Sequence, residues 1–349
     1  MAVGGGVAVA GGGAKPVSEG RHVGEQLPAG ERPPVGERRR PGIGVRTVTG
    51  GRPDQDSGAS AGAATRHLIV TADDFGIHEA VNEAVGLASR AGVLTAASLM
   101  VGAPAAADAV RRARELPRLR VGLHLVLADG FAMLPREQIP DLVDSEGRFG
   151  DGMWLDGVRY FALPALRRQL EAEIRAQFAA FARTGFVLDH VNAHKHFHLH
   201  PTLLRMIVRV GREFGMGAVR VPYEPLWYAA RGAGGGLGAM AASAFLLPWV
   251  ALMKTRLRAA GIAHNDQVFG LANTGQVDES TLVDILGRLP PGVTEVYLHP
   301  AVDTQGPIAS TMSEYRHSAE LAALLSPRVA EAVAATGAIL GGYGDLPQR

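Results

Sequence analysis

The feature that most constrains this chain is a rhythm of short apolar runs, each closed by a polar residue and separated by stretches with helical spacing. The first run, His67-Leu-Ile-Val-Thr-Ala-Asp73-Asp74-Phe75-Gly76, ends in two carboxylates and a glycine. It reads as a buried parallel strand emptying into a loop. Ile77 to Ala91 follows with Val81, Ala84, Val85 and Ala88 at helical spacing. Thr95 to Val101 and Arg120 to Val126 repeat the strand, the latter carrying His124, and Ala105 to Leu116 repeats the helix. Leu166 to Thr184 is an amphipathic helix stopped by Gly185, and Phe186 to Asp189 is the next strand. Pro201 opens a helix to about Phe214, and Ala218 to Pro222 is a strand with Arg220 inside it. A helix at Thr281 to Leu289, a strand from Thr294 into His299-Pro300, helical residues Ser318 to Ala335 and a strand at Ala338 to Tyr343 complete the series. About seven alternations predict an α/β fold whose mostly parallel strands close into a barrel. Polar residues fall at the C-terminal strand ends, where barrels place their chemistry.

The fold begins at about Arg66. Residues 1–65 are rich in Gly, Pro, Ala and Arg and show no hydrophobic period, so they are expected to be a disordered extension. The remainder is ample for a core, since 47% of the 349 residues are hydrophobic. A net charge of +1 gives no field that would draw nucleic acid. The chain has no cysteine, so His, Asp and Glu must carry any metal. No charged residue lies between Arg231 and Lys254, and this stretch includes Leu246-Leu-Pro248-Trp249. It is rich in Gly and Ala, interrupted by Pro248 and embedded in the strand-helix rhythm, which argues against a membrane span. An apolar flap at about 231–254 is expected instead, touching a membrane or a lipid substrate beside Lys254, Arg256 and Arg258. An ordinary buried helix is the alternative. The expected location is cytoplasmic, with peripheral contact at the inner face of the membrane.

Five of the twelve histidines lie in His190-Val-Asn-Ala-His194-Lys-His196-Phe-His198-Leu-His200. On a strand, positions 194, 196, 198 and 200 would share a face, where crowded imidazoles make poor core material. A metal site explains them, and two histidines with one carboxylate form a recognised ligand set for a catalytic divalent ion. The expected constellation gathers Asp73, Asp74, His124, these histidines, Arg220 and His299 at one barrel face. Arg220 is expensive to bury without an anion, and Asp73 is its natural partner if it points inward.

The segments Thr71-Ala-Asp-Asp-Phe-Gly76, Gly122-Leu-His-Leu125, the 190–198 histidine motif, Val219-Arg-Val-Pro222 and Glu295-Val-Tyr-Leu-His-Pro300 together resemble the YdjC-like carbohydrate deacetylases. Within that family the chain is most similar to the hopanoid biosynthesis-associated branch. The resemblance implies a distorted (β/α) barrel of the polysaccharide-deacetylase kind and hydrolysis of an N-acetyl group from an amino sugar. It also implies one divalent metal ion, Mg or Zn, held by Asp74, His124 and His194, with His196 and His198 as rival ligands. By the same resemblance Asp73 is the base, His299 the acid and Arg220 the residue that keeps Asp73 ionised. His190, Asn192, His196, His198 and Phe75 are left for substrate contact or for bracing the ligands. Asn192 stands where the family's motif usually carries an acid. The implied substrate is an N-acetylglucosaminyl hopanoid. A soluble chitooligosaccharide such as diacetylchitobiose, or a non-catalytic sugar- or metal-binding module, are the rival readings.

Overall fold

A computed structural model describes residues 65–152, 163–229, 237–303, 306 and 308–346. The N-terminal extension, apart from Thr65, and the start of the expected flap at 231–236 lie outside the described residues. The architecture is built on β1 (Arg66–Phe75), which is buried from Leu68 onward. An all-buried strand of this composition belongs at the centre of a parallel sheet covered on both faces. Along one edge β1 pairs with β8 (Gly292–Leu298); along the other it pairs first with β9 (Ile339–Leu340) and then with β2 (Ala96–Leu99). Beyond β2 come β3 (Arg120–Leu125) and β6 (Val191–Ala193), and beyond β8 comes β7 (Gln267–Phe269). All of these pairings are parallel. Single parallel bridges, Val191 to Val219 and Ala218 to Ala263, carry the sheet past β6 toward the segment that enters β7. The sheet therefore curls round on itself as a distorted barrel, stitched rather than laddered at that seam.

Helices return the chain between strands as the spacing predicts. They are α1 (Glu79–Ala91), α2 (Ala106–Ala113), α3 (Pro164–Arg183), α4 (Pro201–Glu213), the short α5 (Leu226–Ala229), α6 (Leu237–Ala259), α7 (Glu279–Gly287), α8 (His317–Leu325) and α9 (Pro327–Ala335). An antiparallel hairpin, β4 (Gly130–Phe131) with β5 (Arg148–Phe149), interrupts the irregular excursion after β3.

Two expectations need correcting, and one strand was not foreseen. The strand expected at Phe186–Asp189 is displaced, and the paired residues are Val191–Ala193. The strand expected at 218–222 is reduced to the two bridges at Ala218 and Val219. The three-residue β7 was not foreseen, being too short to show a period. Within the expected flap, the described residues form helix α6 with Pro248 inside it. Val250, Met253 and Leu257 pack into the core, while Phe245 (75% exposed), Trp249 (43%) and Leu246 (38%) face outward. No described helix is long and apolar enough to cross a membrane.

Candidate metal centre and its surroundings

The two acids of β1 reach the same site through a break in strand geometry. Successive strand residues point to opposite faces. Here the β1–β2 register shifts between Ala72 and Phe75, and Asp74 takes a left-handed φ of 59°. That conformation costs a non-glycine residue roughly 1–2 kcal/mol. A bulge re-aims a side chain in this way, and strained backbone of this sort clusters at functional sites. Gly76 completes the turn at φ 101°, a value open to glycine but strained for other residues.

A second backbone departure sorts the histidines. Lys195 and His196 both adopt left-handed φ, 53° and 56°, so the strand ends at Ala193 and residues 194–199 coil into a tight turn. Of the four histidines expected on one strand face, His194, His196 and His198 therefore point to different partners. His194 turns to Asp74, its Nδ1 lying 3.1 Å from Oδ1. His196 Nε2 meets the Tyr297 hydroxyl at 3.1 Å. His198 Nε2 donates to the Arg220 carbonyl at 2.9 Å. Burial pushes His198 down to about 4 and His196 well below the ordinary histidine range, so both rings are neutral. Phe75 packs wholly within the hydrophobic core, and His190 is buried beneath the site.

Asp74, His124 and His194 each offer a ligand atom, and these atoms lie within 4.8 Å of one another. His124 arrives from the end of β3, with Nε2 3.2 Å from Asp74 Oδ1. Asp74 Oδ2 and His124 Nε2 are buried yet make no hydrogen bond among the described residues. Buried polar atoms are rarely left so, because each forfeits its hydration. A divalent cation among the three donors would satisfy them, and one carboxylate with two imidazoles leaves coordination positions open. The residues fit such an ion. Burial alone would raise the Asp74 carboxyl, but His194 and His124 hold it well below the usual range.

Asp73 faces a different partner. Arg220, fully buried, grips both its oxygens: Nη1 donates to Oδ2, and Nη2 donates to Oδ1 at 3.0 Å. The same guanidinium donates to Glu295 through Nε (2.8 Å) and Nη2 (2.7 Å). Against the upward push of burial, Arg220 holds Asp73 below the carboxylate range, with His124 and His299 adding to the effect. The expectation that Arg220 points inward onto Asp73 is met, and Glu295 is the second anion the sequence reading missed. Period-two spacing could have found it, since Glu295, Tyr297 and His299 share one face of β8 and its end.

Asn192 ties the two halves together. Its amide donates to Asp73 Oδ1 at 3.1 Å, and its carbonyl lies 2.7 Å from His124 Nδ1. The amide hydrogens face Asp73, so the carbonyl must accept from His124 Nδ1–H, and in the neutral ring Nε2 on the side of Asp74 is then the nitrogen with the free lone pair. Against the downward push of burial, Asp73 and Asp74 raise the ring above the ordinary histidine value. An ionised acid at 192 could accept from His124 but could not donate to Asp73.

His299 stands at the end of β8, its Nε2 4.0 Å from Asp74 Oδ2. Burial pushes it down to about 4. Its backbone N–H donates to Glu320, and its carbonyl accepts from His317 Nδ1 at 2.6 Å. Asp73, His124, His194, Tyr297, His299 and Tyr315 line a cavity of about 210 Å³. A neighbouring cavity of about 590 Å³ shares His194, Thr311 and Met312 with it and continues past Phe131 and Arg148.

The model of the family described as YdjC-like protein matches residues 67–335. The chain belongs to the YdjC-like family. Similar proteins include the carbohydrate deacetylase of Brevibacillus brevis, 38% identical over 160 residues that make up 46% of this chain and 59% of that protein. The carbohydrate deacetylase of Geobacillus stearothermophilus is 35% identical over 162 residues, 46% of this chain and 60% of its own length. Each match thus covers less than two thirds of the relative's length. A crystal structure from Enterococcus faecalis V583, of a proposed cellobiose-phosphate cleavage protein, shares the fold with a TM-score of 0.63 at 24% identity. That superposition covers 80% of this chain and 98% of the Enterococcus chain.

Proposed function

We propose that this YdjC-like protein is a metal-dependent carbohydrate deacetylase that hydrolyses an N-acetyl group from an amino sugar and releases acetate. The observation that carries the reading is a carboxylate held ionised by Arg220 that lines one cavity with the two histidines of an Asp-His-His donor set. The names of the similar carbohydrate deacetylases support it.

A divalent ion held by Asp74, His124 and His194 would supply Lewis acidity and lower the pKa of water from 15.7 toward about 7. Asp73 then accepts a proton from the water that adds to the acetamide carbon. The new C–O bond forms, the C–N bond breaks, and the nitrogen needs a proton to leave as an amine. His299 is the donor in this reading. Its ring enters neutral at pH 7, because burial holds it at about 4. The proton it hands over is therefore the one surrendered to Asp73, collected within the same turnover. Arg220 keeps Asp73 ionised at the start of each turnover and holds its orientation by charge-assisted bonds. The neighbouring cavity of about 590 Å³ is large enough to seat the sugar while its acetamide enters the smaller one.

The narrower reading is a glycolipid substrate, an N-acetylglucosaminyl hopanoid. It is supported by the outward apolar side chains of α6, Phe245, Leu246 and Trp249, with half-exposed Trp227 on α5. Such residues would meet a membrane or a lipid tail. Acetate release should be measured on an N-acetylglucosaminyl lipid in vesicles and on soluble diacetylchitobiose. Faster turnover of the lipid, lost in a Phe245→Ser/Trp249→Ser variant that still hydrolyses the soluble sugar, is expected. Equal turnover of both in wild type and variant would reject the lipid reading and leave a soluble chitooligosaccharide as substrate. Acetate from neither would reject the deacetylase.

A further inference from the structure

A chain of hydrogen bonds runs through the buried interior beneath the site. Asp189 lies beside the start of β3, where its backbone N–H donates to the Val121 carbonyl at 3.1 Å. Its Oδ2 is 2.8 Å from His190 Nδ1. His190 Nε2 is 2.9 Å from Ser98 Oγ on β2, and Ser98 Oγ is 2.9 Å from Asn192 Nδ2. Asn192 in turn reaches both Asp73 and His124. Ser98, His190 and Asn192 have no exposed surface at all, so none can touch a substrate.

Donor and acceptor chemistry fixes the direction of every link. Both amide hydrogens of Asn192 are committed, one to Asp73 and one to Ser98. Ser98 Oγ therefore accepts from Asn192 and gives its own hydrogen to His190 Nε2. With Nε2 accepting, His190 carries its proton on Nδ1 and donates it to Asp189. That end is anchored: Asp189 also accepts from the backbone N–H of Tyr343 (3.1 Å) and Gly344 (2.8 Å). Burial would raise its carboxyl, but His190 and those two amides hold it below the ordinary range. The packing is equally committed. A Cβ on Gly122 would sit 2.4–2.6 Å from the His190 ring, so glycine in the Gly122-Leu-His-Leu motif makes room for the relay.

We infer that Asp189, His190 and Ser98 are positioning residues that act through Asn192 to orient the base Asp73 and, at the same time, the tautomer of the ligand His124. The inference deepens the deacetylase reading and rests on it for the role of Asp73, but not for that of His124. It extends the polar surroundings of the metal centre to the opposite end of the strands. Loss of such outer contacts costs about 10–100-fold in metal affinity or activity.

Two readouts test it: kcat and KM for acetate release, and loss of zinc from the zinc-loaded protein to a competing chelator. Ser98→Ala removes one oxygen and should fold. It should lower kcat and zinc retention by about tenfold or more while leaving KM unchanged, because no substrate contact is altered. His190→Leu should do the same. His190→Gln should recover most of both, since its amide can donate to Asp189 while its carbonyl accepts from Ser98. Unchanged kcat and zinc retention in a folded Ser98→Ala protein would overturn the inference, as would equal defects in His190→Gln and His190→Leu. If the wild type releases no acetate from any amino sugar, the deacetylase reading fails, yet zinc retention still decides whether the chain orients His124.

Discussion

Two groups of buried carboxylates in this protein respond oppositely to the same burial. Asp73, Asp74 and Glu295 at the barrel mouth are all held below the carboxylate range. Glu320 and Glu224, under the loops around that mouth, are pushed up to about 8 and about 7. Burial raises every one of them. The difference lies in the partners. Around Asp73 and Glu295 stands the whole charge of Arg220, and around Asp74 two imidazoles. Among the described residues, Glu224 accepts only the backbone N–H groups of Gly270, Leu271 and Ala272, and Glu320 those of Val277 and His299. Peptide dipoles satisfy a carboxylate without offsetting its desolvation, whereas a full positive charge does both. The mouth is thus charged at any working pH, while the loop braces titrate near neutrality.

Removing the charge should erase that distinction, and this is the largest effect expected. Arg220→Met would leave Asp73 and Glu295 buried without a counter-ion, a loss of about 3–5 kcal/mol. The sign of the pH dependence should also reverse. In the wild type the depressed Asp73 contributes stability above its ordinary pKa of about 4, which is lost as pH falls through its lower folded value. In the variant both carboxyls should titrate above their ordinary values, so stability would rise on acidification. Urea midpoints from pH 4 to 8 would show it; a variant parallel to wild type would break the comparison. Asp73→Asn should cost about 10²–10⁴-fold in kcat if it is the base, with the fold intact. Residual acetate release at the wild-type rate would end that assignment. His299→Gln should cost the same or somewhat less, since water can replace an acid more readily than a fixed base, and a KM increase alone would make it a binding residue.

The pattern of legibility follows from the same physics. The β1 run, Asp74 and His124 could be read from sequence because they sit at the ends of apolar runs, where period and polarity change together. His194 could not be separated from His196 and His198, because the left-handed pair at 195 and 196 is a tertiary choice that no spacing encodes. Phe186–Asp189 looked like a strand because it is apolar, yet the ladder forms two residues later, on Val191–Ala193. Ser98 was invisible for the opposite reason: one hydroxyl in the apolar run Ala96–Leu99 carries no periodic signal. Glu320 looked like an ordinary helix residue, and only its position under His299 gives it a task.

The smallest predicted effect isolates that task. Glu320 has a folded pKa raised to about 8 from its ordinary 4.5. A raised carboxyl contributes stability fully present below the ordinary value and lost as pH rises through the folded one. From about pH 5 to pH 8 the wild type should therefore lose stability, because the unfolded chain ionises Glu320 while the folded protein holds its proton, and the loss should level off above about pH 8. Glu320→Gln cannot ionise, and it keeps an acceptor oxygen for only one of the N–H groups of Val277 and His299, which two separate carboxylate oxygens serve in the wild type. Its thermal midpoint should lie below that of wild type at pH 5, for want of one hydrogen bond, and should fall less between pH 5 and pH 8. Because Glu320 fixes the backbone of His299 and not its ring, kcat at pH 7 should change little, while the alkaline decline in kcat should be shallower in the variant. Identical losses of stability in both proteins would mean that Glu320 finds a counter-charge, and the contrast between charge-held and dipole-held carboxylates would then fail at the position where it is sharpest.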